Sequence, residues 1–342
     1  MTRIPPHERP EIERPDDVDD KAVLSVFRVP KELAGMRADV FLSTQLRNTS
    51  RTRAKIIVRA AARFLDGSRI KPNTRLAPEQ YIALWRPAWD ETEIPFDIPI
   101  LFQDEHLLVI DKPAGLPVHP SARYYRNTVI KKLGERFPSE HLVLGHRLDR
   151  DTSGVLVLAR TIEADRLLKK QFRNVLGVEK SYQAITWNTP PYPQQRIELP
   201  LERNPESRLR CTMRVAAPGT GLKAATRIGI IKRYRRGDRR YSLVRCDLET
   251  GRQHQIRVHL ASLGCPVVGD KIYGPSEELH ARSSDGTLTD DDRLQLELPR
   301  HALHAWRMAF MHPMTDDRLV FEAPLPEDMQ AFVRGLEVDD TL

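Results

Sequence analysis

Apolar positions along this chain fall mostly into short runs and alternating stretches, the signature of strands, with a few segments at helical spacing between them. The runs Leu142 to Leu144 and Val155 to Leu158 read as strands, which leaves His146 to Gly154 as a loop held at both ends by sheet. Leu107 to Ile110 reads as a strand running into a Pro-Ala-Gly turn, and residues 178 to 187 alternate as a half-buried strand does. Ile162 to Phe172 has an amphipathic pattern, with Thr161 as N-cap and Leu167, Leu168 and Phe172 facing inward. Ile256, Leu260 and Leu263, followed by Gly264 and Pro266, describe a short helix with Arg257 on the face opposite Leu260 and Leu263. A hairpin is expected around the turn Arg236-Gly237-Asp238.

Nearer the N-terminus the pattern changes. Two short helices are expected, Ala38 to Leu46 and one beginning after Ser50, followed by a hairpin turning at Asp66-Gly67 and a closing strand from Tyr81 to Trp85. Residues 86 to 99 carry three prolines and no periodicity, the mark of a linker. The first residues hold seven acids against three arginines and no apolar run. The chain therefore reads as an acidic disordered tail over 1 to 24, a small domain over 25 to 90 and a larger one over 91 to 342. Residues 275 to 299, polar with an acidic middle, read as a mobile surface insertion without a catalytic role.

Composition changes this picture in one place. The net charge of +7 over 342 residues is modest, but Arg28 to Arg75 holds twelve Lys and Arg against three acids, a local +9. Arginines crowded on a helix-helix-hairpin unit suit a polyanion, because cations that displace counterions supply most sequence-independent RNA affinity. Arg37, Arg51, Arg53 and Lys55 are the candidates there, and Arg235 and Arg236 form a second basic tip on the later hairpin. A solvated basic surface is the competing reading of both. Three cysteines without CxxC spacing predict free thiols, and His254 and His259, five apart, do not share a helix face, so no metal site is expected. With no signal peptide and no membrane-length apolar run, the expectation is a cytoplasmic protein.

The loop at 146 to 154 carries the candidate chemistry. Asp149 lies between Arg147 and Arg150, which are expected to favour its ionised form, and an ionised carboxylate can act as a nucleophile at a sugar carbon. Asp151 competes with it, and on local chemistry alone a solvated charged loop is an equal reading.

The run HRLDRDTSG resembles the signature of the RluA-type pseudouridine synthases. The resemblance implies that Asp149 is the catalytic residue and that Arg147 takes the place of a flipped-out uridine. Only the family pattern, not local chemistry, puts Asp151 second. DKPAGLPVHP at 111 to 120 is similar to another family segment, where Lys112 and His119 are expected to serve the turn. In KSYQA the resemblance assigns Tyr182 to the active site, stacking on or deprotonating the base, with Lys180 on the same strand face. In HQIRVH it implies that Arg257 pairs with the catalytic aspartate, and His254 of the same run joins the RNA-contacting set. Arg37-Ala38-Asp39, Ser50-Arg51 and Asp66-Gly67 resemble an S-four-type RNA-binding domain. The fold so implied is α+β: a small helix-hairpin RNA-binding domain, then a mixed, largely antiparallel sheet around a central basic cleft. The implied activity is isomerisation of uridine to pseudouridine without cofactor or metal. The expected partner is RNA, large-subunit ribosomal RNA first with transfer RNA as the alternative, met by a monomer. A non-catalytic RNA-binding or ribosome-assembly factor and a carboxylate-based RNA glycosidase are the alternatives from other classes.

Overall fold

The computed structural model describes all residues except 1–2, 6–7, 21, 47–48, 87–96, 121–123, 125, 175–176, 208–210, 277, 286 and 341–342. The chain divides into two compact units, residues 1–92 and 93–342. The proline-rich linker expected at 86 to 99 lies largely outside the described residues.

In the first unit, β1 (Arg3–Ile4), β2 (Val23–Arg28), β3 (Ala62–Arg63) and β4 (Tyr81–Arg86) form an antiparallel sheet in the order β1-β2-β4-β3. Helices α1 (Ala38–Gln45) and α2 (Arg51–Ala61) share a core with it, built on Phe27, Phe41, Leu42, Val58, Ile82 and Leu84. Ser50 caps α2 by accepting the Arg53 amide, and the turn at Asp66-Gly67 is closed by the Ser68 amide donating to Asp66 Oδ1, as the sequence pattern predicts. The expected disordered tail is corrected in part. Arg3 and Ile4 pair with Phe27 and Val26, and Asp17 accepts from both Arg63 and Arg69, so backbone pairing and two ion pairs hold a segment whose composition alone gives no core.

The second unit is built from β5 (Ile100–Gln103), β6 (Leu107–Lys112), α3 (Val129–Arg136), β7 (Val143–Leu144), β8 (Ser153–Ala159), α4 (Ile162–Asn174), β9 (Glu179–Trp187), β10 (Gln194–Glu198), β11 (Leu201–Arg203) and β12 (Met213–Val215). It continues through β13 (Ala225–Arg236), β14 (Arg239–Leu248), α5 (Gln255–Ser262), α6 (Glu278–Asp285), α7 (Asp290–Leu296), β15 (Leu303–Met311), β16 (Arg318–Glu322), α8 (Glu327–Arg334) and β17 (Glu337–Val338). Its main sheet runs β10-β13-β14-β9-β15-β8-β6-β5, with β7, β16 and β17 attached, and is antiparallel except where β15 meets β8. That is the mixed, largely antiparallel sheet expected. Gly154 makes the parallel contact possible: its φ is +110°, and a Cβ there would stand 2.2 Å from the Ala305 carbonyl oxygen.

The expected mobile insertion at 275 to 299 is a second correction. It contains α6 and α7, with Leu279 and Leu296 buried and a capping box between Thr289 and Asp292. Beyond α7, Glu297 accepts from Trp187 Nε1 at 2.7 Å and from the Tyr241 hydroxyl at 2.8 Å, which ties the segment to the sheet. Among the described residues no helix is long and apolar enough to cross a membrane.

Candidate active site

The loop between β7 and β8 is fixed from several directions. Lys112, fully buried at the end of β6, donates its three ammonium hydrogens to the carbonyls of Pro113, Leu116 and Arg150 at 2.7 to 2.9 Å. Burial pulls this ammonium down to about 7 against the nearby Asp151, and its three carbonyl acceptors satisfy the donors that burial strips of water. Thr152 Oγ1 lies 2.9 Å from His301 Nε2, Ser153 Oγ lies 2.9 Å from His304 Nδ1, and Arg300 donates to the Asp151 carbonyl. The turn residues at 111 to 116 thus serve the reactive loop as well as themselves.

The two carboxylates of the loop part company. Asp151 turns toward Arg150, whose guanidinium binds both its oxygens at 2.7 and 2.9 Å and also donates to the Tyr124 hydroxyl. Arg150 therefore does not support Asp149, contrary to the reading of adjacent charges. Asp149 instead faces a cleft of about 760 Å³, where Arg257 Nη1 donates to Oδ2 at 3.1 Å and His254 Nε2 stands 3.9 Å from Oδ1. Burial would raise this carboxyl, but the opposing charges, with His254 and Arg257 foremost, outweigh it and hold Asp149 below the usual carboxylate range. His254 is itself pulled down to about 4 by burial and by Arg257, so near neutral pH Arg257 supplies the charge.

Arg257 is only 4% exposed, and its second carboxylate was not singled out from sequence. Asp270 binds its Nε and Nη2 at 2.6 and 2.7 Å and accepts the backbone amides of Ile272 and Tyr273. The guanidinium carbon lies 5.0 Å from the Tyr273 ring centre. Helix α5, which carries Arg257, is buried from Gln255 to Leu260, not on one face only. Its polar positions have partners: Gln255 donates to the Ala225 carbonyl and to Thr226, and His259 contacts Thr226 and the Leu199 carbonyl.

Tyr182 on β9 lines the cleft and is 7% exposed; burial and the nearby Asp149 raise its phenol, so it stays protonated. Lys180 shares its strand face and the cleft, its ammonium lowered by burial and set 4.9 Å from the Phe172 ring centre. The structure thus brings Asp149, Tyr182, Arg257, Arg147 and His254 together, with His119 and Lys180 beside them. Arg235 and Arg236 are elsewhere, at the tip of the β13–β14 hairpin. They pair with Glu337 and Glu297 at 2.8 and 3.2 Å, and Arg236 lies 5.2 Å from the Phe332 ring centre. In the first unit Arg37 and Arg51 hold the buried Asp39, while Arg53 and Lys55 are exposed on α2.

Residues 106–262, which include every cleft residue named above, match the family model described as RNA pseudouridylate synthase. A protein of Xanthomonas campestris named ribosomal large subunit pseudouridine synthase D is 35% identical over 318 residues, 91% of this chain and 92% of its own. Two human structures share the fold. RNA pseudouridylate synthase domain containing 1 has a TM-score of 0.57 at 23% identity over 73% of this chain and 93% of its own. RNA pseudouridylate synthase domain containing 4 has a TM-score of 0.54 at 28% identity over 70% and 94%. Similarity carried through nine tenths of both the chain and its bacterial relative settles the kinship: this protein belongs to the RNA pseudouridylate synthase family and is an isomerase.

Proposed function

We propose that this isomerase converts uridines of large-subunit ribosomal RNA to pseudouridine, working as a monomer in the cytoplasm, with Asp149 as its nucleophile. One observation carries the assignment of Asp149: it is the loop carboxylate that faces the cleft, held ionised by an arginine whose own position is fixed by a second carboxylate. The ribosomal target is supported by the name of the bacterial relative.

The target base cannot be reached within a stack, so the uridine is flipped out and Arg147 fills the space it leaves. Asp149 attacks the anomeric carbon, assists the glycal route, or adds to the uracil ring. The bond from N1 to the sugar breaks, the base turns, and carbon five bonds to the same sugar carbon, releasing any bond that Asp149 had formed; carbon five then gives up its proton and N1 takes one up. No electrons are gained or lost overall. Tyr182, its phenol raised by burial and by the nearby Asp149, offers its ring and hydroxyl to the base. Arg257 keeps Asp149 charged as the cleft closes over the base.

The first unit is the proposed docking element. Its exposed Arg53 and Lys55 and its local excess of positive charge suit structured RNA, in keeping with its S-four-like pattern.

Asp149→Asn should lower turnover by at least about a thousandfold while RNA affinity stays within a few fold. Asp151→Asn should be much milder, and an exchange of the two results would move the nucleophile to Asp151. Release of free uracil would make the enzyme a glycosidase. Pseudouridine maps of ribosomal RNA from cells with and without the gene test the target.

A further inference from the structure

We propose that His254 is a positioning residue that works as the neutral tautomer protonated on Nε2, set by the Tyr273 hydroxyl, and that it presents this N–H to Asp149 Oδ1 as a second donor on the carboxylate. The proposal rests on the reading of Asp149 as nucleophile.

Counting hydrogens around Tyr273 leads to it. The Met213 amide donates to the Tyr273 oxygen at 2.8 Å, so that oxygen already accepts one hydrogen bond. The same oxygen lies 2.8 Å from His254 Nδ1. Among the described residues Nδ1 is the one acceptor in reach of the phenolic hydrogen, and burial keeps that hydrogen in place. If Nδ1 carried the ring proton, the Tyr273 oxygen would accept from both Nδ1 and the Met213 amide, and the phenolic hydrogen would have no acceptor among the described residues. The arrangement that uses every hydrogen has the phenol donating to Nδ1, which leaves the proton on Nε2.

Geometry then aims it. Arg257 takes Oδ2 at 3.1 Å, while Nε2 faces Oδ1 at 3.9 Å, beyond hydrogen-bond length, so a small approach of the imidazole would complete a second donor on the other oxygen. Tyr273 serves both arms, since its ring lies under the Arg257 guanidinium and its hydroxyl holds the imidazole. The backbone of His254 is in the left-handed region, φ 56°, at the start of α5. Outside glycine this region is uncommon, and asparagine, aspartate and histidine enter it more readily than other residues such as glutamine. A neutral donor steadies Asp149 without a second full charge that would tie up its lone pairs, and the gap at Oδ1 leaves room for the approach to the substrate.

Two measurements test this on the full-length protein. In nitrogen-15 spectra of histidine-labelled enzyme at neutral pH, His254, assigned by its loss in His254→Gln, should show unprotonated Nδ1 and protonated Nε2. Tyr273→Phe should release that tautomer preference. The same variant should lower kcat about tenfold, the usual scale for one hydrogen bond, with RNA affinity within twofold. Glutamine places an amide nitrogen near where Nε2 stood, and asparagine places one near Nδ1. His254→Gln should therefore keep more turnover than His254→Asn, although asparagine suits the backbone better. A proton found on Nδ1, or asparagine matching glutamine, would overturn the proposal. The tautomer does not depend on what Asp149 does, so an active Asp149→Asn enzyme with the expected His254 spectrum would fault the nucleophile assignment instead.

Discussion

The two units use the same pair of side chains in opposite senses. In the second unit one buried arginine, Arg257, lies between two carboxylates, Asp270 fully buried and Asp149 32% exposed. In the first unit one buried carboxylate, Asp39, lies beneath two arginines, Arg37 and Arg51, 36% and 55% exposed. The buried partner decides what the cluster shows to the outside. Burying the cation presents an anion at the cleft, kept ionised and aimed; burying the anion presents cations to solvent, where they can meet phosphate. A count of arginines and aspartates makes the two clusters look alike, and only burial separates a carboxylate offered to the cleft from arginines offered to solvent.

Removing one buried carboxylate from each cluster should separate the two most. Asp270→Ala leaves Arg257 buried with the bidentate half of its pairing gone, which should cost about 3–5 kcal/mol of stability. It should also lower turnover by about a hundredfold or more, because the guanidinium no longer points at Asp149. Removing Asp39 should cost no more than about 1 kcal/mol, since Arg37 and Arg51 then turn into water. Denaturant midpoints and single-turnover rates on both alanine variants make the check. Equal destabilisation would show that burial of the arginine is not what distinguishes the clusters.

Acid should separate the units next. His301 is pulled down to about 3, and His254 and His304 to about 4, burial being the main cause in each. Unfolded histidine titrates near about 6.5, so below that pH the unfolded state binds more protons than the folded one. Their contribution to stability is therefore complete above about pH 6.5 and is lost as pH falls toward the folded values. In the first unit the one histidine in the sequence is His7, and the carboxylates held low there, such as Asp17 and Asp39, lose their contribution only below the ordinary carboxylate range. Between about pH 6.5 and 4.5 the second unit should lose about a few kcal/mol while the first changes little. Hydrogen exchange resolved along the chain, corrected for its intrinsic pH dependence, measures this. Parallel losses in both units would remove the histidines as the cause.

How far the sequence reached follows from the same physics. The strands flanking the 146 to 154 loop, the helices capped by Ser50 and Thr161 and the hairpin at Gly237 were legible because a local pattern specifies each: an apolar run, a capping hydroxyl, a turn glycine. Asp149 and Arg257, 108 residues apart, came together from resemblance, since no periodicity encodes an interaction of that range. Asp270 was hidden for another reason. It is a single acid in a turn, and its main partner, Arg257 on α5, is set by the fold and not by any local pattern. Arg150 misled because neighbours in a loop point to different sides, and it took Asp151 rather than Asp149. The segment at 275 to 299 looked mobile because its acids dominate its composition, yet Leu279, Leu296 and Glu297 anchor it. For Arg235 and Arg236 the charge was legible but not the acids opposite, which arrive from Glu337 and Glu297.

The smallest expected effect sharpens the docking side of the comparison. Arg53 and Lys55 stand exposed on α2, whereas Arg37 directs two of its nitrogens to Asp39. If the first unit docks RNA, a cation already paired by the protein contributes less to counterion release than one facing solvent. Replacing both Arg53 and Lys55 with alanine should weaken binding to structured RNA by several fold and flatten the salt dependence by about 0.7–0.9 in slope for each phosphate no longer neutralised. Arg37→Ala should flatten it by less. Turnover at saturating RNA should not change in any of these variants, because the cleft lies in the other unit. Affinities across a series of salt concentrations make the measurement. A slope that does not move in the double variant would assign these two cations to a solvated surface.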